Sequence, residues 1–195
     1  MKYNKTINPD KVFFTSDTHF GHTNIIKYCD RPFNTANEMD ETLIRNWNSV
    51  VPQDGLVFHL GDFSFGDPAV YRPRLNGDIR FIIGNHDRDS EAYYYNAPKD
   101  AKPFLSYEDV RMVVINGQAI WLSHYAHRVW PKQGRKSWHL YGHSHNNLPD
   151  DKHSLSFDVG VDAHGFKPIS FKEVVRIMSK KEFKTPEDHH GNNGN

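Results

Sequence analysis

Cysteine, net charge and long apolar runs are what this 195-residue sequence has least of. Its one cysteine, Cys29, cannot form a disulfide within the chain, which favours a reducing compartment. Lysine plus arginine number 24 and aspartate plus glutamate also number 24, so no net charge draws the protein to nucleic acid or anionic lipid. No apolar run is long enough for a transmembrane helix, and the N-terminus leads into no secretory signal. These absences predict a cytoplasmic protein outside the membrane.

Histidine, in contrast, is abundant, with 13 copies. Many histidines with almost no thiol indicate metal binding through nitrogen and oxygen, or acid–base catalysis, rather than a structural zinc site. The length suits one domain with a sizeable core. We expect that domain to span residues 1–180, and a polar, disordered tail to follow at 181–195.

The first half of the chain alternates predicted strands with predicted helices. Apolar runs predict buried strands at 12–15, 56–60 and 79–83. Helices are expected at 23–28, from the capping box at Thr35 to residue 50, and around 68–75. This alternation is typical of a sheet with crossover helices.

The second half of the chain does not show this alternation of strands and helices. Asn116-Gly117 predicts a hairpin that joins strands 111–115 and 118–122. Further strands are expected at 138–141 and 156–161, and a last helix runs from the cap Ser170 to Met178. Residues 89–105 and 125–137 are predicted to be irregular.

Five predicted strand ends carry side chains that bind metals. They are Asp17 with His19, Asp62, Asn85 with His86, His124, and His143 with His145. Open α/β sheets bind their ligands at the carboxyl ends of strands. Ordinary turn chemistry explains asparagine, aspartate and glycine at such places, but it has no use for repeated histidines. We therefore expect these groups to converge on metal ions.

The same residues resemble the calcineurin-like metallophosphoesterases. The family pattern is Asp-x-His, Gly-Asp, Gly-Asn-His-Asp, a separate His and Gly-His-x-His, and it stands here in that order between residues 17 and 145. The stretches 21–26 and 31–33 resemble the small single-domain bacterial or phage members most. The resemblance implies an α/β fold, a four-layer αββα sandwich of two mixed β-sheets flanked by helices.

The resemblance also implies two divalent transition-metal ions that share Asp62. One ion would take Asp17, His19, Asp62 and His145, and the other would take Asp62, Asn85, His124 and His143. Imidazoles with few carboxylates and no thiolate favour manganese first, then iron, zinc, nickel or cobalt, over magnesium or calcium. Such a pair, about 3.5–4 Å apart, lowers the pKa of bound water, and the metal-bound hydroxide attacks phosphorus in line.

His86 ligates no metal in this scheme. The resemblance implies that it is the general acid or the group that orients the phosphate; the alternative is a further metal ligand from its loop, or a hydrogen bond to one of the ligands. An imidazolium beside two cations needs a supporting carboxylate, which Asp87 or Asp67 could supply.

Four further residues are candidates for substrate binding: His22, Arg31, His127 and Arg128. His22 starts a predicted helix, where N–H groups hold anions, unless it is a plain helix position. His127 and Arg128 lie in a basic loop that either clamps a phosphate or is merely solvated. Trp130 beside them is a candidate for stacking on a base, whereas His59 and His139 are expected in the core.

The predicted activity is hydrolysis of phosphate esters. Small phosphodiesters or nucleotides are favoured because the chain has neither an appended cap nor a basic track. One alternative is a nuclease acting on single-stranded or damaged nucleic acid through the 128–136 loop, which neutral charge disfavours. A second alternative is a non-catalytic metal-dependent binding module. Such a module is expected to lack some of the metal ligands, whereas every expected ligand is present in this sequence.

Overall fold

The computed structural model describes residues 7–185. The strands are β1 Val12–Thr15, β2 Leu56–His59, β3 Asp78–Ile82, β4 Ser106–Glu108, β5 Val110–Ile115, β6 Gln118–Ser123, β7 Trp138–Tyr141, β8 Ser156–Asp158 and β9 Ile169–Ser170. The α-helices are α1 Thr23–Tyr28, α2 Ala36–Val50, α3 Arg88–Asn96 and α4 Phe171–Met178. Residues 186–195, most of the predicted polar tail, lie outside the described part of the chain.

Both sheets are mixed. The first has the order β4-β3-β2-β1-β9, in which β1 to β4 are parallel and β9 is antiparallel to β1. The second has the order β5-β6-β7-β8, an antiparallel hairpin followed by two parallel strands. The hairpin turns at Asn116 and Gly117 with φ values of 50° and 79°, as its sequence predicts.

The core has two parts because alternate residues of each strand point to opposite faces. Between the sheets, Phe14 and Phe58 of the first pack with Leu122 and Leu140 of the second and with Val174 of α4. On the outer face of the first sheet, apolar residues of β1, β2 and β3 pack against α2, whose buried side chains recur at helical spacing. The two layers fix the strand ends rigidly relative to one another.

Helices pack on the pair of mixed sheets, and the predicted α/β sandwich is confirmed. Helices α2 and α3 cover the first sheet through Trp47 and Tyr93, among others. The outer face of the second sheet is covered by the 124–137 loop with its 3-10 turn Gln133–Arg135, and there Trp130 packs on His139 with ring centroids 5.2 Å apart. His59 and His139 are both fully buried, as expected.

Two local predictions are wrong. The helix expected around 68–75 is two short 3-10 turns, Pro68–Val70 and Arg72–Arg74, because Pro73 lacks the N–H that an α-helix would use there. The stretch 89–105, expected to be irregular, contains most of α3. That helix buries only Ser90 and Tyr93, so its sequence carries almost no apolar period.

The first residues of the predicted tail lie against the domain. The N–H of Glu182 donates to the Lys152 carbonyl at 2.8 Å, and Phe183 packs against the core between the sheets. Within residues 7–185, no helix has both the length and the apolar character that crossing a bilayer requires.

Candidate metal centre

The loops that follow β1 and β2 run side by side beyond the sheet. The N–H of Asp17 donates to the Gly61 carbonyl at 3.0 Å, and the N–H of His19 donates to the Asp62 carbonyl at 3.0 Å. In the second sheet, the N–H of Gly142 donates to the His124 carbonyl at 2.9 Å. The predicted ligands of both sheets therefore meet at one edge of the molecule.

Two glycines make this approach possible. A Cβ atom at Gly84 would collide with the Asp62 carboxylate and with the Asp62 backbone N, and one at Gly142 would collide with the side chains of Ser16 and Asp17. Any larger residue would push the strand-end loops apart.

Five of the seven predicted ligands have a left-handed backbone. The φ angles are 57° at Asp17, 48° at His19, 57° at Asp62, 66° at His143 and 46° at His145. This conformation is uncommon for residues other than glycine and clusters at functional sites. The turns aim successive side chains inward from a short stretch of chain.

Asp17, His19 and His145 form the first candidate group, with ligand atoms all within 4.8 Å of one another. Asp17 Oδ1 and both ring nitrogens of His19 are buried without a hydrogen-bond partner among the described residues. Buried polar atoms are rarely left so, and a cation coordinated by them would satisfy the carboxylate and the imidazole together. The donor set fits a transition metal.

Asp62, His124 and His143 form the second candidate group, again with ligand atoms within 4.8 Å of one another. The Leu60 carbonyl accepts a hydrogen bond from His124 Nδ1 at 2.7 Å, so Nε2 carries the lone pair. Nε2 faces Asn85 Oδ1 at 3.0 Å. Two acceptors that face each other fit a cation that both could bind.

Asp62 lies between the two groups. Its Oδ2 is 3.4 Å from His19 Nε2 and 3.6 Å from His124 Nε2, while its Oδ1 accepts the His86 N–H at 2.9 Å. One oxygen thus faces both sets of ligands, and the other is fixed by the backbone.

Burial sets the charges of these groups. It raises the pKa of Asp17, helped by the nearby carboxylates Asp158 and Asp62, and it raises the pKa of Asp62. Burial lowers the pKa of His19, and lowers that of His124 to about 4. A divalent cation would favour the ionised form of both aspartates against the effect of burial, and it would find the imidazoles of His19 and His124 already neutral.

A comparison with protein families decides what kind of domain this is. Residues 11–159 match the model of the calcineurin-like phosphoesterase superfamily domain. The chain belongs to the calcineurin-like phosphoesterase superfamily. It is therefore a metal-dependent hydrolase of phosphate esters, and the predicted family is confirmed.

Similar proteins extend along most of this phosphoesterase. The uncharacterized protein MJ1445 of Methanocaldococcus jannaschii is 34% identical over 180 residues, covering 87% of this chain and 92% of its own. The Gene 66 protein of Mycobacterium phage L5 is 27% identical over 196 residues, covering 86% of this chain and 94% of its own. Among solved structures, a protein of unknown function from Aquifex aeolicus, AQ665, has the same fold, with a TM-score of 0.65 at 22% identity, covering 85% of this chain and 98% of that chain.

Arg31 of the phosphoesterase is a structural residue and not the substrate contact that was expected. Its side chain is buried, forms a two-point ion pair with Asp162 at 2.8 Å, and donates to the backbone carbonyls of Asp17 and Thr18. Every nitrogen of the guanidinium is thereby engaged, and none is free to hold a phosphate.

Asp162 holds His145 as well. Burial alone would lower the pKa of His145, but hydrogen bonds to Asp162 and Cys29 and the charge of Asp17 outweigh it and raise this pKa to about 10. Hydrogen bonds from His145 and Arg31 also overcome burial and lower the pKa of Asp162, so the carboxylate is ionised and His145 Nδ1 is the donor. His145 Nε2 is left for a cation, which would displace its proton.

Asp87 has a different role from the one expected beside His86. Its carboxylate accepts the N–H groups of Asp62, Phe63 and Gly84 at 2.7, 2.9 and 2.7 Å, and the Ser90 hydroxyl at 3.2 Å. The hydrogen bonds found for it in the described chain leave no contact with the His86 ring. Asp87 ties the Asp62 loop to the loop after β3. Asp67, the other candidate for supporting His86, lies at the surface, where its carboxylate accepts the N–H of Ala69.

His86 and His22 line a cavity of about 540 Å³ together with residues of both candidate groups. The His86 ring lies 5.8 Å from that of His19, and the His22 ring lies 5.4 Å from it, centroid to centroid. Both predicted contacts are thus placed where a substrate on the metal ligands would reach them.

The basic loop is directed elsewhere. His127 accepts a hydrogen bond from Trp121 Nε1 at 3.0 Å, and Trp130 is buried with its Nε1 on Ser137, so it presents no face to a base. Neither His127 nor the exposed Arg128 lines the cavity. Their predicted phosphate contact has no geometric support.

Two residues beside the site were missed by the sequence analysis, Asp158 and Asp162. The buried Asp158 accepts the N–H of Gly160 at 2.7 Å and that of Asn146 at 3.2 Å, which fixes the turn after His145. Asp158 is the last residue of β8, so the same strand-end position that singled out Asp62 could have identified it.

Proposed function

We propose that this protein is a two-metal phosphoesterase that hydrolyses small phosphodiesters or nucleotides. The observation that carries the proposal is the position of Asp62 Oδ2, within 3.6 Å of a ring nitrogen from each ligand group. A carboxylate oxygen there can serve two ions at once. The first ion would be held by Asp17, His19, Asp62 and His145, and the second by Asp62, Asn85, His124 and His143.

Two such cations, once bound, polarise the phosphate ester and lower the pKa of a water molecule. The chain's own residues do the rest. Asp87 and Asp162 hold Asp62 and His145 in place through the hydrogen bonds described above. The exposed His86 ring, next to the ligands, would orient the phosphate or give a proton to the departing oxygen.

The ligand types favour manganese, with iron, zinc, nickel and cobalt as alternatives. The free thiol of Cys29 accords with a reducing compartment, and we place the enzyme in the cytoplasm. A nuclease would need basic residues along a strand-sized path, and none of the described residues that line the cavity is lysine or arginine.

The test is a parallel assay of metal-reconstituted protein on bis(p-nitrophenyl) phosphate, p-nitrophenyl phosphate, cyclic nucleotides and short single-stranded DNA. We expect turnover of the small esters and two metal ions per chain by elemental analysis. Ions without turnover would support the binding module, and preferred, steeply salt-dependent cleavage of DNA would support the nuclease.

Asp62→Asn tests the shared ligand, with Asp150→Asn as a control because the Asp150 side chain is 58% exposed and lies outside the cavity lining. We expect the Asp62 variant to lose both ions and the control to keep them. Loss of a single ion from Asp62→Asn would argue against sharing.

A further inference from the structure

An exposed phenylalanine lies at the rim of the metal-site cavity. Phe65 follows the Asp62 loop, lines the cavity that contains His19 and Asp62, and is 51% exposed. Its N–H donates to the Phe20 carbonyl at 2.7 Å, and Phe20 pairs with Ser64 in a β-bridge, so the backbone is fixed. A rigid apolar ring that packs into no core, beside a catalytic cavity, is suited to contact a ligand.

Phe65 stacks on His22. The two rings are nearly parallel, at 12°, with centroids 4.0 Å apart, and Tyr28, 72% exposed, stands edge-on to His22 at 6.3 Å. We call Tyr28, His22 and Phe65 the aromatic wall. The His86 ring lies tilted beside Phe65 at 5.6 Å, and the exposed half of the Phe65 side chain is the part that a ligand could contact.

The wall begins next to the metal ligands. The His22 ring lies 5.4 Å from that of His19 and stacks on Phe65, and the His86 ring lies 5.8 Å from His19 and 5.6 Å from Phe65. A planar group on Phe65 and a phosphate at the metal ligands would therefore share one cavity.

The rest of the cavity limits the charge of the ligand. Among the described residues that line it are Asn24 and Asn147, but no lysine or arginine. A second phosphate would have no cationic side chain to bind, whereas amide groups suit the hydroxyls and ring nitrogens of a nucleoside.

We infer that the aromatic wall binds the base of a nucleotide that carries a single phosphate, with the base stacked on Phe65. Nucleotides are the class of phosphate esters that joins a planar ring to the phosphate through a sugar, and all bases stack on aromatic side chains. This inference rests on the proposed function, since it needs the phosphate to bind at the predicted ligands.

The test compares two ligands that differ only in the base. The probes are the methylenephosphonate analogues of AMP and of ribose 5-phosphate, in which carbon replaces the ester oxygen and prevents hydrolysis. Dissociation constants are measured by calorimetry on the metal-loaded protein. We expect the wild type to bind the AMP analogue about tenfold more tightly. Phe65→Leu should abolish most of that preference, and Phe65→Tyr, which keeps the ring, should retain it.

Tyr95→Leu is the matched control, because Tyr95 is 69% exposed on α3 and lies outside the cavity lining. It should keep the wild-type preference. Equal binding of the two analogues by the wild type, no binding of either, or a preference that survives Phe65→Leu would overturn the inference. Hydrolysis of bis(p-nitrophenyl) phosphate, measured separately, tests the proposed function. Turnover of this ester without any preference for the AMP analogue would overturn the base-binding role of the aromatic wall and leave the proposed activity standing.

Discussion

Asp162 Oδ2 lies 2.8 Å from Nδ1 of His145, and the same carboxylate is paired with the buried Arg31. A predicted metal ligand is therefore linked through one side chain to the arginine that holds the backbone of the Asp17 loop. The network joins residues far apart in sequence and orients the His145 ring before its other nitrogen meets an ion.

Asp162→Asn should weaken metal binding, because an amide is a poorer acceptor for His145 Nδ1–H and no longer neutralises Arg31. Partners of this kind are typically worth about 10–100-fold in metal affinity. Chelator competition would measure the affinity, and urea unfolding of the metal-free protein would show whether the fold is kept. Asp150→Asn is the control, because the Asp150 side chain is 58% exposed and lies outside the cavity lining; equal affinities in both variants would contradict the role given to Asp162.

His86→Ala should retain both ions yet lose about 100-fold or more in kcat, the usual contribution of a general acid. Metal is retained because the bond to Asp62 Oδ1 comes from the backbone N–H, which alanine keeps. Elemental analysis and steady-state kinetics on one preparation separate the two effects. His153→Ala, outside the cavity, serves as the control. Undiminished turnover in His86→Ala would remove this residue from the chemistry.

Arg31→Ala should destabilise the protein instead of raising KM. It strips the buried Asp162 of its ion pair, and breaking a buried pair costs about 3–5 kcal/mol. Arg74→Ala breaks an exposed pair with Glu41 and should cost less than about 1 kcal/mol. Urea unfolding measures both variants. A raised KM with unchanged unfolding free energy would restore Arg31 as a substrate contact.

His59 should make the metal-free protein sensitive to mild acid. Thr18 Oγ1 donates to the Phe63 carbonyl, so His59 Nε2–H donates to Thr18, and the buried Nδ1 has no partner among the described residues. Burial lowers the pKa of His59 to about 3, below its unfolded value of 6.5. Between these two pKa values the unfolded chain binds a proton at His59 that the folded chain does not. The free energy of unfolding is therefore highest above pH 6.5 and decreases as the pH falls below that value.

His59→Phe, which keeps a ring against Phe81, should therefore reduce the stability lost between about pH 7.5 and about pH 5 by about 2 kcal/mol. Urea unfolding at the two pH values gives the difference, in which any packing cost cancels. An unchanged loss in His59→Phe would mean that His59 is protonated in the fold.

Much of the fold could be predicted from short, local sequence patterns. The apolar run before Asp17, the caps Thr35 and Ser170, and the Asn116-Gly117 turn each act within a few residues, and the elements that they predict are present. Strands β4 and β9 escaped prediction because two or three residues carry no readable period, and they form only by pairing with β3 and β1.

The neighbours of the candidate ligands could not be read locally. Arg31 and Asp162 are 131 positions apart, and Asp87 reaches back 25 positions to Asp62. Nothing next to Arg31 in sequence distinguishes a buried arginine from one that binds phosphate. The partner of each group follows only from the way the two sheets pack.

The left-handed turns at Asp17, His19 and Asp62 are held by main-chain hydrogen bonds between neighbouring loops, such as that from His19 to Asp62. The cage is thus shaped by folding, and an incoming ion has little left to organise. Metal binding should then leave the backbone of these loops unchanged, so the metal-free and the metal-loaded protein should have the same fold around the site.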